Sequence, residues 1–202
     1  MALPRNVVFD VGNVLLAWDP HKLAADHVED PQLRPTVVAD IFGHPDWQLL
    51  DCGQLEEQEA NQRFAERSGL PVAEVERLIE ASKSHLTLMD EGLTLLKAVK
   101  DGGAHVFCLT NMSRATYDYV RQKFSFWEHF EGIVVSAHVS MIKPHQDIYL
   151  HLLELYGLQA DETAFMDDNP ANIAGARSVG IRAQIFAPGT HDWLLAGAPQ
   201  ED

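Results

Sequence analysis

Carboxylates that follow short apolar segments are the residues of this sequence best suited to chemistry. Asp10 follows Val7-Val8-Phe9 and enters a turn at Gly12, and Asp167-Asp168 follow the apolar segment Thr163-Ala164-Phe165-Met166. Gly12 lets backbone N–H groups approach an anion that a side chain would block. Two adjacent carboxylates repel each other, and a bound cation is the simplest compensation. The pattern predicts a nucleophilic carboxylate beside a cation; the alternative is that both segments simply form turns.

A hydroxyl, an amide and a lysine follow two further apolar segments. Thr110-Asn111 come after His105-Val106-Phe107-Cys108-Leu109, and Lys143-Pro144 come after Ile133-Val134-Val135-Ser136. These groups could bind an anion and offset its charge. Each also has a structural alternative. Thr110-Asn111 would cap a helix that begins near Ser113, and Lys143 would be a solvated surface lysine.

Strand and helix patterns alternate along most of the chain, and this alternation predicts how the polar residues are positioned. Apolar segments predict strands at 7–9, 105–109, 133–136, 163–166 and 181–186, and helical periodicity follows at about 89–101, 113–124, 145–156 and 170–179. Such alternation is typical of an α/β fold, a Rossmann-like parallel sheet with helices on both faces and right-handed crossovers. Ligands of such sheets bind beyond the carboxyl ends of the strands, so we expect Asp10, Thr110 and Asp167 to converge there.

Residues 18–86, here called the helical insertion, differ from the rest of the chain. The segment contains no convincing strand, and its pattern predicts helices at 56–67 and 72–83, the second opened by Pro71. We predict a catalytic core formed by residues 1–17 and 87–202, with residues 18–86 as an inserted α-helical cap. The last residues, 197–202, are expected to form a loose acidic tail.

Composition excludes several classes of partner. The chain has 202 residues and a formal net charge of −15, which repels nucleic acids and anionic membrane surfaces but not a small phosphorylated metabolite. Cys52 and Cys108 do not make a disulfide framework, and no leader or membrane-spanning segment is evident, so we predict a cytoplasmic protein. The sequence leaves the oligomeric state open.

Taken together, the motifs resemble those of the haloacid dehalogenase-like hydrolase superfamily, in their expected order and over nearly the whole chain. The four motifs are Asp10-Val11-Gly12-Asn13-Val14, Thr110-Asn111, Lys143-Pro144, and Asp167-Asp168 with Asn172. Within the helical insertion, a second set is similar to a bacterial sugar-phosphatase branch that includes glucose-1-phosphate phosphatases: Trp18-Asp19-Pro20, Trp47 and Asp51-Cys52-Gly53.

This resemblance implies a Mg²⁺-dependent phosphatase that acts on a small phosphate ester, with a sugar phosphate as the expected substrate. Asp10 would be the nucleophile and become a phosphoaspartyl intermediate. The cation would neutralise the repulsion between a carboxylate and a phosphate dianion. Asn172 would orient a neighbour. The implied ligands of Mg²⁺ are Asp10, the Gly12 carbonyl and Asp168 with Asp167, and the implied phosphate-binding groups are Thr110, Asn111, Lys143 and the backbone amides around Val11 and Asn111.

One position departs from the family pattern. Most phosphatases of the superfamily carry a general acid/base aspartate two residues after the nucleophile, where this chain has Gly12. Loss of such a group typically lowers turnover by about 10²–10⁴-fold. Asp19, Asp51 and His44 are the candidate substitutes, and an anomeric sugar phosphate with an easily released alcohol is another solution.

Two other functions stay open, the first of them because of Gly12. A metal-independent 2-haloacid dehalogenase uses an aspartate nucleophile and lacks the second aspartate, although Asp167-Asp168 argue against it. A non-catalytic binding protein on the same fold is the other alternative. Substrate choice would depend on the helical insertion, in which three aromatic residues could line a pocket or simply pack: Trp18, Phe42 and Trp47.

Overall fold

The computed structural model describes residues 3–187 and 189–196. A five-stranded parallel sheet forms the centre, in the order β5-β4-β1-β6-β7, and a separate antiparallel pair joins β2 to β3. This confirms the predicted α/β Rossmann-like class. The strands are β1 (Asn6–Phe9), β2 (Leu16–Ala17), β3 (Thr87–Leu88), β4 (His105–Thr110), β5 (Gly132–Val135), β6 (Thr163–Asp167) and β7 (Arg182–Ile185).

Eleven α-helices accompany these strands within the described residues. They are α1 (Pro20–His27), α2 (Arg34–Val37), α3 (Pro45–Asp51), α4 (Glu57–Ser68), α5 (Val72–His85), α6 (Asp90–Asp101), α7 (Arg114–Lys123), α8 (Ser136–Val139), α9 (Gln146–Tyr156), α10 (Pro170–Ser178) and α11 (Thr190–Ala196). A π-helical turn, Val38–Phe42, follows α2, and 3₁₀ turns occupy Ser125–His129 and Ala160–Glu162.

The two faces of the sheet are covered by different helices because strand side chains alternate in direction. Val7 and Phe9 of β1 pack with apolar residues of α6 and α7 on one face. Val8 packs on the other face with α9 and α10, as do Phe107 and Phe165 of the neighbouring strands. Burial on both faces accounts for the nearly continuous apolar runs of these strands.

The strand register brings the predicted site residues to one edge. Phe9, the last residue of β1, pairs with Cys108 of β4 and Met166 of β6. The Asp10 backbone N–H continues this pairing and donates to the Met166 carbonyl at 2.9 Å. Because all three strands are parallel, their polar ends lie at the same carboxyl edge.

The regular secondary structure of the helical insertion is all helical, and the insertion has an apolar core of its own. Leu23, Ile41, Phe64 and Leu78 are fully buried in that core. The insertion leaves and re-enters the sheet region through β2 and β3, which pair Leu16 with Leu88 and Ala17 with Thr87. The division into a core of 1–17 and 87–202 and a cap of 18–86 stays a prediction.

Several predicted bounds differ from the structure. The helix predicted at 56–67 begins at Glu57, and the helix predicted at 72–83 continues to His85. The strand predicted at 133–136 ends at Val135, because Ser136 begins α8 and uses its hydroxyl in contacts with two other segments. Residues 197–202, the predicted acidic tail, lie outside the described residues. Among the described helices, none has the length and apolar character needed to cross a bilayer.

Candidate active site

Lys143 lies between two carboxylates at the carboxyl edge of the sheet. Its Nζ is 2.8 Å from Asp10 Oδ1 and 2.6 Å from Asp167 Oδ2. All three residues are buried, and Lys143 is only 3% exposed, so the prediction that these residues converge is correct and the reading of Lys143 as a solvated surface lysine is wrong. A buried ammonium ion beside two carboxylates fixes the position of the Asp10 carboxyl group.

Asp167 is held by hydrogen bonds on both of its oxygens. The Asn172 side chain donates to Oδ1 at 2.9 Å and to Oδ2 at 3.0 Å, and the backbone N–H of Asn169 donates to Oδ1 at 2.8 Å. Asn172 therefore contacts Asp167, a neighbour it can orient, as expected. Lys143 also donates to Oδ2, so the Asp167 carboxylate holds the lysine ammonium group in place.

Asp168 is exposed and lies on the solvent side of the same edge. One oxygen from each of Asp10, Asp167 and Asp168 lies within 4.8 Å of the others. Asn13 donates from Nδ2 to Asp168 Oδ2 at 2.9 Å and accepts from the Trp18 backbone N–H at 2.8 Å. Asn13 thus connects the turn after Asp10, the start of the helical insertion and the third carboxylate.

Sequence reasoning missed this role of Asn13. Its φ of 50° places it in the left-handed region, which Asn tolerates better than most residues. The Gly12-Asn13 dipeptide was the available signal for such a turn.

Asn111 contacts Lys143 through the backbone of the lysine. Its Nδ2 donates to the Lys143 carbonyl at 3.0 Å, and its Oδ1 accepts from the Lys143 N–H at 3.0 Å. The Asn111 amide therefore positions the lysine segment. Thr110 ends β4 beside it and is 1% exposed. Ser113, not Thr110-Asn111, caps α7, by accepting from the Thr116 N–H at 3.3 Å.

The electrostatics of this edge are dominated by excess negative charge. Burial raises the pKa of Asp10 to about 7, against the attraction of Lys143 and with the repulsion of Asp167. Burial alone would lower the pKa of Lys143, but its two carboxylate neighbours raise it above its ordinary value. One ammonium group faces three clustered carboxylates, and hard carboxylate oxygens are the ligands that Mg²⁺ prefers. The donor set thus fits a divalent cation.

A cavity of about 110 Å³ lies between the sheet edge and the helical insertion. Gly12 and Asn111 line it from the sheet side, and Trp18, Trp47 and Asp51 line it from the insertion. The two indole rings stack with centroids 6.0 Å apart and an interplanar angle of 13°. Two of the three aromatic residues predicted to line a pocket therefore do so.

Phe42, the third of these aromatic residues, packs instead edge-on against both indoles, with ring centroids 5.5 Å from Trp18 and 5.1 Å from Trp47.

The three candidate substitutes for the missing acid occupy different environments. Asp19 is exposed and caps α1 by accepting from the Lys22 N–H at 2.9 Å. His44 caps α3 by accepting from the Asp46 N–H at 3.1 Å. Of the three, only Asp51 lines the cavity that Gly12 also lines.

A model of the haloacid dehalogenase-like hydrolase family matches residues 4–180. The chain belongs to this hydrolase family. Among its relatives, sesquiterpene phosphatase astK from Aspergillus oryzae is 28% identical to this chain over 177 residues, which is 88% of this chain and 87% of the relative. Phosphoglycolate phosphatase from Chromobacterium violaceum is 26% identical over 208 residues, 96% of this chain and 90% of that protein.

A solved structure shares the fold of this haloacid dehalogenase-like hydrolase. The HAD family enzyme bt-2542 from Bacteroides thetaiotaomicron, in complex with magnesium and inorganic phosphate, has a TM-score of 0.71 and 22% identity, covering 92% of this chain and 95% of that chain. At this identity the likeness concerns the fold alone. The family predicted from the four motifs is confirmed, while the glucose-1-phosphate phosphatase branch and the residue roles stay predictions.

Proposed function

We propose that this hydrolase is a Mg²⁺-dependent phosphatase that cleaves a small phosphate ester through a phosphoaspartyl intermediate on Asp10. The observation that carries the proposal is the cluster in which Lys143 bridges Asp10 and Asp167 while Asp168 lies within 4.8 Å. Relatives with phosphatase names over most of the chain support the same reaction type.

The cation would be held by the Asp10 carboxylate, the Gly12 carbonyl and Asp168 with Asp167. Asp168 is the most accessible of the three carboxylates, since Asp10 and Asp167 are buried against Lys143. When bound, Mg²⁺ supplies positive charge that reduces repulsion between the nucleophile and the phosphate.

The protein's own residues perform the remaining steps. Asp10 attacks phosphorus as the bond to the leaving alcohol oxygen breaks, and water later cleaves the acyl phosphate. Thr110 and the backbone amides around Val11 and Asn111 bind phosphate oxygens. Lys143, held in place by Asp167, stabilises charge that develops on those oxygens in the transition state.

The two alternative functions fit the site less well. A dehalogenase gains nothing from additional negative charge, yet Asp167 and Asp168 both adjoin Asp10. A pure binding protein has no need for a buried lysine that fixes a buried carboxylate. We therefore place phosphate ester hydrolysis ahead of both.

A sugar phosphate is the proposed substrate class. Trp18 and Trp47 place indole groups in the cavity wall, which gives an apolar wall suited to the C–H face of a sugar ring, and Asp51 supplies a polar group beside it. The same wall would accept a hydrocarbon chain, and sesquiterpene phosphatase is the name of one relative. Terpenyl phosphates are accordingly the second substrate class to test. Since both described cysteines are free and buried, we also propose a reducing, cytoplasmic location.

The decisive experiment measures phosphate release by the purified protein with MgCl₂ or EDTA. The panel contains hexose phosphates, farnesyl phosphate, phosphoglycolate and p-nitrophenyl phosphate, and a 2-haloacid is assayed for halide release. We expect Mg²⁺-dependent release that Asp10→Asn abolishes and that Asp161→Asn, a change at an exposed carboxylate, leaves intact. Metal-independent halide release would select the dehalogenase, and silence in both assays would favour the binding protein.

A further inference from the structure

The space beside Gly12 is open. A Cβ atom placed on Gly12 would meet no atom within 4 Å, so no core side chain fills the position where most phosphatases of the family carry their acid. Gly12 lines the cavity between the sheet edge and the helical insertion. A group that replaces the missing acid must reach this cavity from another element.

Asp51 is the residue that does so. It is the last residue of α3, and it is the one carboxylate, and the one side chain that ionises near neutral pH, among the described residues that line the cavity. The other lining side chains carry aromatic, aliphatic, thioether, hydroxyl or amide groups. A proton needed in this space therefore has a single acidic source in the described walls.

The backbone of Asp51 is fastened to the sheet side of the cavity. The Ser136 hydroxyl donates to the Asp51 carbonyl and accepts from the Met112 N–H, the latter at 2.9 Å. Gly53, with φ +69°, approaches the Ala137 carbonyl so closely that a Cβ would lie 2.5 Å from it. These contacts hold α3 against the polar ends of β4 and β5, where the Asp51 residue lines the cavity.

The surroundings of Asp51 suit proton transfer. Burial raises the pKa of Asp51 to about 7, although hydrogen bonds with the Ser113 backbone and the Trp47 side chain lower it in part. A group with such a pKa populates both its acid and its base form at neutral pH, which is the condition for efficient general acid/base catalysis.

We propose that Asp51 is the general acid/base of this hydrolase and occupies in space the role that Gly12 leaves open in the sequence. The inference rests on the proposed phosphatase function. In the first step, the protonated Asp51 gives its proton to the ester oxygen as the P–O bond to the alcohol breaks and the bond from Asp10 to phosphorus forms. In the second step, the Asp51 carboxylate takes a proton from water as the water oxygen attacks phosphorus and the Asp10–phosphorus bond breaks. Alcohol and inorganic phosphate are released, and both aspartates return to their initial states.

The other two candidates lack this access. Asp19 uses its carboxylate to cap α1 at an exposed position, and His44 uses Nδ1 to cap α3. Neither lines the cavity shared by Gly12 and Asp51.

The test compares Asp51→Asn with wild type and with Glu56→Gln, a change at an exposed carboxylate five positions along the same segment. Asn retains the backbone carbonyl that accepts from Ser136, and melting temperatures confirm that each variant is folded. With an alkyl phosphate, whose leaving group needs a proton, Asp51→Asn should lower kcat by about 10²–10⁴-fold with little change in KM. Glu56→Gln should behave as wild type.

p-Nitrophenyl phosphate separates the two steps, because its leaving group departs without a proton. Asp51→Asn should release p-nitrophenolate in a rapid burst equal to the enzyme concentration, followed by slow turnover because the phosphoenzyme lacks the base that activates water. Turnover near wild type, a change in KM alone, or a loss of activity without a burst would each overturn the role of Asp51. If wild type and Glu56→Gln also release no phosphate, the proposed phosphatase function itself is wrong.

Discussion

The side chain of Asn111 holds the backbone of Lys143 at both its N–H and its carbonyl, each at 3.0 Å. This pairing joins the residue after β4 to the segment after α8. It thereby fixes the backbone position from which the Lys143 side chain extends into the carboxylate cluster. The Thr110-Asn111 motif, which the sequence predicts to bind phosphate, thus also positions the Lys143-Pro144 motif.

Asn111→Ala should displace Lys143 and leave two backbone groups without their partners. We expect a decrease in the free energy of unfolding of about 1–3 kcal/mol and a fall in kcat, because the ammonium group loses its fixed position. Denaturant unfolding and steady-state kinetics measure the two effects. Gln122→Ala, a change at an exposed residue of α7, should shift the unfolding free energy by no more than about 0.5 kcal/mol. Unchanged kcat in Asn111→Ala would contradict this positioning role.

Lys143→Met should reveal the charge balance of the cluster. Removing the ammonium group leaves Asp10 and Asp167 buried without their shared partner, and breaking a buried ion pair typically destabilises a protein by about 3–5 kcal/mol. A divalent cation bound by the same carboxylates would replace part of the lost positive charge. We therefore expect MgCl₂ to raise the melting temperature of Lys143→Met more than that of wild type.

The control for this prediction is Lys97→Met, which removes a lysine from the exposed face of α6. Its response to MgCl₂ should match that of wild type. Equal Mg²⁺ responses in Lys143→Met and Lys97→Met would argue that the carboxylate cluster does not bind the cation.

The sequence was sufficient to predict that the site residues converge, because their convergence follows from the topology of the sheet. Asp10 and Asp167 each come at the end of an apolar strand, and in a parallel sheet with crossover helices such ends share one edge. The helices α9 and α10 and the helical character of the insertion were predicted for a different reason, because apolar periodicity is a local property of the chain.

The contacts that tune the site were not accessible in this way. The link from Asn13 to Asp168, the pairing of Asn111 with Lys143 and the bond from Ser136 to Asp51 join residues far apart in sequence. Each depends on the register of strands and on the seating of α3, which pattern reasoning does not fix. The choice among Asp19, His44 and Asp51 likewise required knowing which side chain reaches the cavity.

The stability of the metal-free protein should report the ionisation of Asp51. Burial raises its pKa from 3.8 to about 7, so the folded protein retains a proton that the unfolded chain releases. The stabilising contribution is therefore complete below the unfolded pKa and is lost as the pH rises through the folded pKa. Over that window the free energy of unfolding should fall by at most about 1.4 kcal/mol per pH unit from this group.

Asp51→Asn lacks this ionisation, so its stability relative to wild type should increase as the pH rises from 4 to about 7. Denaturant unfolding in EDTA at several pH values measures the difference between the two proteins, in which the contribution of Asp10 cancels. Parallel pH profiles for wild type and Asp51→Asn would contradict the raised pKa of the Asp51 carboxyl group.

Gly12→Asp tests whether the proposed acid can be moved from the end of α3 to the turn after β1. Because a Cβ at Gly12 meets nothing within 4 Å, an aspartate there can place its carboxyl group in the cavity that Asp51 lines. In an Asp51→Asn background, Gly12→Asp should restore about tenfold or more of the lost kcat toward an alkyl phosphate, since general acid/base catalysis depends on the presence of a positioned proton donor. Gly12→Ala in the same background fills part of the space without supplying an acid and should restore nothing. Equal recovery by both variants would mean that the cavity needs volume and not a proton, and the role of Asp51 would have to be abandoned.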